Sequence, residues 1–511
     1  MMTIQMFRNQ LIGTALLSFI LLLNGCIESL PTTDHSETND SQTQTDINVE
    51  TESETIIGTG TETQSEIDTI MQTDTNIATQ SQTQTQTQTQ TQTQTQTQTQ
   101  TQTQTDVTVN ENYLSVPLSA SITKVQPMTG IVFWESNSNA LQELGDAVQL
   151  EFSYLIYSDV IQSEGVYDWS EFDALLNKVE NRGHQLVLRF RYTYPGETVV
   201  SVPEYIVNQD EYNLTYANVE SQNTFLPDWS FSGLEDFTLE FFEVFSNRYD
   251  ADPRLAKIQV GFGSYSEYHL YDGPLDLGVN FPSKQFQTNF LNHLNDSFET
   301  TLWSISIDAA SDEYSPFANQ NELLELDFGL FDDSFMHETH SETDREYNRA
   351  SWLFFGNDRY ENNMQGGEFN YYSNYDQKNV LTLPNGPWGT DFETFSSLYN
   401  LSYIIGNDQF EYQSVARIEQ ASQSMGYKFN VDIFEASDIK TRVVITNQGI
   451  APIYYDAYPT VDSIRSETSL KGLLPNESRE FIIETGGENP TLTIESDQIL
   501  DSQTIEFSAY L

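Results

Sequence analysis

The sequence predicts an α/β protein, a (β/α)8 barrel of the TIM type followed by a small C-terminal antiparallel β-sandwich. Three observations lead there. From about residue 112, strand-like apolar runs alternate with amphipathic helical patterns, as parallel strands joined by crossover helices require. The runs number eight over about 300 residues, which suits a closed barrel better than an open doubly wound sheet. Past Gly426 the helical patterns stop, and "YKFNVDIFEA", "KTRVVITNQG", "PIYYDAYPTV" and their successors read as short strands between Asn, Gly and Pro turns.

The elements follow in chain order. Residues 1–26 begin with a short polar stretch containing Arg8 and continue as an apolar run from Leu11 to Leu23, the pattern of a secretory signal peptide. The run is too short and too terminal for a spanning helix of the mature protein. It ends in Leu23-Asn24-Gly25-Cys26, which resembles a bacterial lipobox, where a thioether lipid and a palmitate-type acyl chain anchor the cleaved protein through the cysteine. Cys26 is the one cysteine of the chain, so no disulfide can form, and lipidation gives the thiol a purpose. Ile27 stands where an acidic retention signal would keep a lipoprotein at the inner membrane, so the outer membrane or cell surface is the expected location.

Residues 27–110 are Thr, Gln, Ser and acids, ending in an unbroken Gln-Thr alternation from Gln82 to Thr105. Such a stretch has almost nothing to bury against the entropy of ordering, and it reads as a disordered tether. The barrel is expected over residues 111–422. Its strands are placed at 130–134, 147–155, 184–192, 255–263, 300–307, 326–333, 364–371 and 401–407. Between them, "DWSEFDALLNKVENRG" puts Phe172, Leu175, Leu176 and Val179 on one helical face and stops at Gly183. "GLEDFTLEFFEVFSNRYD" and "PSKQFQTNFLNHLNDSF" read the same way, and "TDFE" at 390–393 opens a later helix with a capping box. Residues 423–511 make the sandwich.

The chain carries 76 acidic and 21 basic residues, a net charge of −55. From Ile27 to Glu111 there are 14 acids and no Lys or Arg, so the folded part holds most of the imbalance. A surface of this sign repels nucleic acid and anionic lipid, which excludes both as partners except through the anchor. A solvating, salt-tolerant surface explains it most simply; a match to a cationic ligand is the alternative, which the sequence does not localise.

Functional groups of a (β/α)8 barrel sit at the carboxyl ends of its strands. Glu267 follows the fourth run in "GFGSYSEYHLYDG", and Glu368 lies at the seventh in "QGGEFNYY". The two glycines before Glu368 are expected to let the backbone turn where a strand would otherwise continue. Two carboxylates about 5–5.5 Å apart can protonate a glycosidic oxygen and attack the anomeric carbon from the opposite face. With so many acids, a glutamate follows almost any strand by chance; a pair at strands four and seven is harder to dismiss.

Around this pair, His269, Tyr268 and Tyr265 are candidate substrate contacts, as are Asp332 and Asp333 at the end of the sixth run. Arg189 and Arg191 share a face of the third run, and Arg191 is a candidate to hold an anionic sugar, with a structural ion pair as the ordinary alternative. Trp134, Trp229 and Trp388 lie near strand ends or loops and suit stacking on sugar rings, whereas Trp169 and Trp303 read as core. His337 and His340 are spaced for a metal, but nothing supplies a firm third ligand, so no metal is expected and no cofactor. The chain shows no phosphate loop, nucleophile elbow or basic stripe.

Two resemblances add to these readings. "SEGVYDWSEFDALLNKVENRGHQLVLRF" looks like the second-to-third-strand stretch of barrel glycosidases, and retaining members commonly keep their acid/base after the fourth strand and their nucleophile at the end of the seventh. Residues from about 127 to 507 resemble bacterial proteins of the domain of unknown function 4832 family. Their phrase Gly-x-x-Gly-Glu-Trp-His is matched by Ser264, Tyr265, Ser266, Glu267, Tyr268 and His269, with Ser266 and Tyr268 in place of the usual Gly and Trp. Gly366-Gly367-Glu368 resembles the family's Gly-Gly-Glu, and "MGYKF" with "VVITNQGIAPIYYD" resembles the start of its β-sandwich. The resemblance implies a glycosidase-like barrel without naming a sugar.

The expectation is therefore a surface-anchored glycoside hydrolase, a monomer acting on an extracellular poly- or oligosaccharide with Glu267 as acid/base and Glu368 as nucleophile. The alternative is a non-catalytic, carbohydrate-capturing surface lipoprotein. A purely structural or adhesive protein gives no reason for two glutamates at these positions.

Overall fold

A computed structural model of the chain describes residues 112–338 and 347–511. The signal peptide, Cys26, the tether and His340 lie outside the described residues. Eight strands form a closed parallel barrel: β1 (Gly130–Trp134), β2 (Leu150–Ile156), β3 (Gln185–Arg191), β4 (Leu255–Gln259), β5 (Leu302–Ser306), β6 (Gly329–Phe335), β7 (Gln365–Phe369) and β8 (Tyr403–Ile405). They pair in sequence order, and β8 closes onto β1 with Tyr403 opposite Gly130. The barrel is the architecture the eight runs predict.

Alternation of side chains along each strand divides the core in two. Ile131, Phe133, Leu186, Leu188, Phe190 and Ile258 point outward and pack under the helices. The covering helices include α1 (Ser170–Glu180), α2 (Ser232–Tyr249), α3 (Lys284–Ser297) and α4 (Phe392–Leu398). Helix α2 contributes Phe237, Phe241, Phe242, Phe245 and Tyr249, all buried, against Tyr157, Phe190 and Phe172. Each such ring, taken out of water, contributes about 1.5–3 kcal/mol. At α4 the expected capping box shifts by one residue. Asp391, not Thr390, is the cap, its carboxylate accepting from the Thr394 N–H at 2.8 Å. A carboxylate there also meets the positive end of the helix dipole.

Inward-facing Val132, Phe152, Val187, Tyr403 and Ile405 belong to a second cluster, continuous with the C-terminal sheets through Phe429, Val431, Ile445 and Ile453. These sheets contain β9 (Phe429–Ala436), β10 (Thr441–Asn447), β11 (Tyr458–Val461), β12 (Ile464–Arg465), β13 (Ser478–Ile483), β14 (Leu492–Glu495) and β15 (Phe507–Tyr510). A six-stranded sheet and a three-stranded sheet result, and the larger departs from the expected all-antiparallel pattern. Its β9 and β15 run parallel, and the short strands Leu114–Ser115 and Ser119–Ala120 from before the barrel complete it. The sheets meet the barrel at the amino ends of its strands: Gln185, the first residue of β3, donates to the Gln498 carbonyl at 3.0 Å, and Gln503 donates to Gln149 at 3.0 Å. They brace the floor, at the end of the barrel opposite the mouth. No helix among the described residues is long and apolar enough to cross a membrane.

Candidate functional site

The site starts from the turn that ends β4. The expected strand to residue 263 stops at Gln259, and the chain then folds back on itself. The Gly263 N–H donates to the Glu267 carbonyl at 2.7 Å and the Ser264 N–H to the His269 carbonyl at 2.9 Å. Gly261 is needed for this: a Cβ there would meet the Ser266 carbonyl oxygen at 1.9 Å. Tyr265 and Ser266 carry positive φ, 57° and 62°, which costs about 1–2 kcal/mol per non-glycine residue. The Ser266 hydroxyl donates to the Phe190 carbonyl, which helps hold the strained backbone. The turn delivers Glu267 into the barrel mouth with its side chain only 12% exposed.

Glu368 comes from the opposite wall. Contrary to expectation, the two preceding glycines do not break the strand, since β7 runs through them. They permit close packing instead. A Cβ on Gly366 would strike the Tyr403 ring at 2.3 Å, and one on Gly367 would strike the Asp332 carbonyl at 1.9 Å. Glu368 is half-buried at the penultimate position of β7.

Beside the glutamates lies a nearly buried ion pair, with no exposed side-chain surface on Arg189 and 9% on Asp333. Both terminal nitrogens of Arg189 on β3 hold the Asp333 carboxylate of β6, the Nη2 contact at 3.1 Å. The guanidinium Nε donates to Gln259 at 2.8 Å, Nη1 also donates to the Tyr265 carbonyl at 3.2 Å, and the ring of Phe331 lies 4.3 Å beneath. Buried charges persist only when paired and hydrogen-bonded in this way. Gln259 in turn donates to the Tyr403 hydroxyl at 2.7 Å, extending the polar column down the barrel axis.

A fourth carboxyl enters two residues beyond β5. Asp308 hydrogen-bonds Glu267, and His269 Nε2 lies 3.1 Å from Glu267 Oε2 and 3.8 Å from Asp308 Oδ2. Burial pushes the Glu267 carboxyl up to about 8, and the charge of Asp333 adds to it. Glu368 is raised well above the usual carboxylate range by burial and then by Asp333 and Glu267, with Arg189 opposing. Asp308 is raised by burial and by Glu267. Burial lowers His269, favouring the neutral imidazole. The mouth thus retains protons where free carboxyls would have lost them.

Other predicted residues sort by strand alternation. Asp333 faces the mouth, whereas Asp332 turns outward. It is buried and accepts from Asn348 at 3.0 Å and the Trp352 indole at 3.0 Å, so it braces the wall and does not contact substrate. Tyr268 is likewise corrected: it has no exposed surface and packs with Phe262 and Phe281 in the outer core. Arg191 is held bidentately by Glu197 at 2.8 and 3.0 Å, the ordinary ion-pair alternative to an anionic-sugar ligand. Tyr265 stays at the mouth, its hydroxyl donating to Glu220 at 2.9 Å. Trp134 caps β1 beside Phe152 and Tyr154, and Trp388 is exposed near Tyr375. Trp229 is buried against Tyr192 and Phe262, with no face to offer a sugar, and Trp169 and Trp303 are core.

Sequence reasoning missed Asp308, because the fifth run was ended one residue early at Ile307. It also missed Tyr194, Tyr271, Tyr371 and Tyr372, which stand on loops beyond the strand ends. Donor atoms of Glu267, His269 and Asp308 lie within 4.8 Å of one another, the spacing that a metal ion would need.

No protein-family model matches the chain, and no curated protein does. Among solved structures it is similar to the catalytic domain of a beta-amylase from Paenibacillus polymyxa, with 12% identity and a TM-score of 0.37 over 60% of this chain and 99% of that one. It is similar to endo-glycoceramidase II from Rhodococcus sp., with 9% identity and a TM-score of 0.36 over 73% of this chain and 100% of that one. A GH30 endoxylanase from Clostridium papyrosolvens C71 shares 10% identity and a TM-score of 0.35 over 74% of this chain and 96% of that one.

Proposed function

We propose that the protein hydrolyses glycosidic bonds of an extracellular poly- or oligosaccharide with retention of anomeric configuration. Support comes chiefly from one observation: Glu267 and Glu368, from strand ends four and seven, both feel the charges of the Arg189–Asp333 pair in one barrel mouth, and Glu368 also feels Glu267. Glu267, buried and holding its proton, donates it to the leaving oxygen. Glu368, the carboxyl that Arg189 helps to ionise, attacks the anomeric carbon to form a glycosyl ester. A water then breaks the ester, with Glu267 taking its proton back. Trp134, Tyr154, Tyr194 and Tyr371 supply aromatic faces and hydroxyls for the sugar. The lipid on Cys26 and the tether hold this domain at the outer membrane or cell surface.

A second reading has a specific observation in its favour. A Glu368 carboxyl raised so far is partly neutral, and a neutral carboxyl is a hydrogen-bond partner, not a nucleophile. On that reading the barrel captures glycan without cutting it. A reducing-end assay of the protein, with Glu267→Gln and Glu368→Gln beside it, on a broad panel of polysaccharides decides between them. Hydrolysis predicts product from the native protein and a loss of about 10²–10⁴ in each variant. Retention of a glycan on an affinity gel without product supports capture.

A further inference from the structure

The chain between β3 and α2 contains a hairpin, Thr215–Val219 paired antiparallel with Gln222–Leu226. Its loop is Glu220 and Ser221, with φ of 51° and 62°. Two-residue loops of this kind favour Asn-Gly or Asp-Gly, because both residues must enter the left-handed region. Glutamate disfavours that region. A conformation of this sort persists where surrounding contacts hold it.

The contacts are with the turn that presents Glu267. The Glu220 carboxylate accepts from the Tyr265 hydroxyl at 2.9 Å, and the Glu220 N–H donates to the Tyr271 carbonyl at 3.0 Å. Val219 packs so closely on the chain beyond Glu267 that a Cβ on Gly273 would meet its Cγ2 at 2.8 Å. The hairpin tip therefore grips the segment on both sides of Glu267. Its far strand is anchored in turn to the loop after β3. The Gly196 N–H donates to the Thr224 hydroxyl at 3.0 Å, and the Phe225 N–H to the Glu197 carbonyl at 2.9 Å. From the same loop, the Tyr194 ring meets the Tyr265 ring edge-on, centres 4.8 Å apart.

Tyr265 carries the grip to the acid. Its backbone is left-handed, and its carbonyl accepts from Arg189 Nη1 at 3.2 Å. Within the turn, the N–H groups of Gly263, Ser264, Ser266 and Glu267 are all hydrogen-bonded to turn carbonyls. We infer that Glu220 is a positioning residue: through the Tyr265 hydroxyl its carboxylate holds the turn that aims Glu267, so a hairpin outside the barrel sets the geometry of the acid. The inference rests on the hydrolase reading and assigns that site a residue from an inserted element.

The test uses the whole protein with its Glu220→Ala, Glu220→Gln and Tyr265→Phe variants and the Glu220→Ala/Tyr265→Phe pair. Amide hydrogen exchange is followed without substrate, and kcat and KM are measured on any glycan the native protein cuts. Glu220→Ala should speed exchange at Gly263, Ser264, Ser266 and Glu267 about tenfold or more, as loss of a hydrogen bond to a charged group implies, with the barrel strands unchanged. Tyr265→Phe should do the same, and the double variant no more than either alone. Glu220→Gln, whose amide oxygen still accepts from Tyr265, should restore most of the protection. In Glu220→Ala, kcat should fall about 10–10²-fold through misplacement of Glu267 while KM holds, and Glu220→Gln should recover most of that loss. Unchanged exchange, additive effects in the double variant, or failure of Gln to rescue overturns the positioning role. A raised KM with kcat intact also overturns it, since Glu220 would then be a substrate contact. No product from the native protein on any glycan overturns the hydrolase reading, while the exchange measurement judges the hold on the turn by itself.

Discussion

Replacing Glu267 by Gln should stabilise the protein at alkaline pH while destroying its activity. In the folded state the Glu267 carboxyl is raised from an ordinary 4.5 to about 8. The unfolded chain loses that proton earlier, so between these values the native state binds more protons and wild-type stability falls as pH rises. The favourable contribution is complete below about pH 4.5 and gone above about pH 8. At about 1.4 kcal/mol per pH unit, the ceiling is about 5 kcal/mol. Side-chain relaxation and the neighbouring Asp308 and Glu368 reduce it, and we expect about 2 kcal/mol. Gln occupies the same volume and does not titrate, so the variant escapes the loss. Thermal denaturation followed by circular dichroism at pH 5 and pH 8.5 measures the effect. The variant's advantage should be small at pH 5 and amount to a few degrees at pH 8.5. An equal difference at both pH values refutes the reasoning, because Glu267 would then be an ordinary carboxylate without a proton to give.

Three further outcomes follow from the same geometry. Hydrolysis should fall above about pH 8 as Glu267 ionises, and its acid limb should lie above the ordinary carboxylate range because Glu368 is raised; a kcat/KM optimum near pH 4 contradicts both assignments. Arg189→Met leaves the Asp333 carboxylate buried without its partner, and should cost about 3–5 kcal/mol in urea denaturation, with activity lost as well. Gly261→Ala forces a methyl group onto the Ser266 carbonyl; since backbone cannot yield cheaply there, activity should drop at least about 10²-fold through displacement of Glu267, with circular dichroism still showing a folded barrel.

Much of the barrel was legible because its strands are continuous apolar runs with helical patterns between them. The first run, Gly130 to Trp134, coincides with its strand. The fourth overshot because Val260 to Gly263 remain apolar while the chain leaves the ladder, which local pattern does not register. The two glutamates were placed at the ends of the fourth and seventh strands from strand order together with the resemblance to barrel glycosidases, and that is where they stand. Choosing Asp333 over Asp332 was within reach, since consecutive strand residues face opposite ways and Phe331 already marks the inner face. Tyr268 misled because it sits between Glu267 and His269, both at the mouth, in a turn whose positive φ angles break simple alternation. The stacking of Tyr271 on His269 was illegible, since it depends on how the loop after the fourth strand folds back. The sandwich was readable as strands, but its completion by Leu114–Ser115 and Ser119–Ala120 is a long-range pairing that two-residue strands do not announce.

The most direct test of the two-glutamate account is covalent trapping. The protein is incubated with a panel of 2-deoxy-2-fluoroglycosyl fluorides of different sugar configuration, digested and sequenced by mass spectrometry. The account predicts one glycosyl adduct, on Glu368, which fails to form in Glu368→Gln. Hydrolysis of glycans with no adduct on Glu368, or with the adduct on another carboxylate, contradicts it.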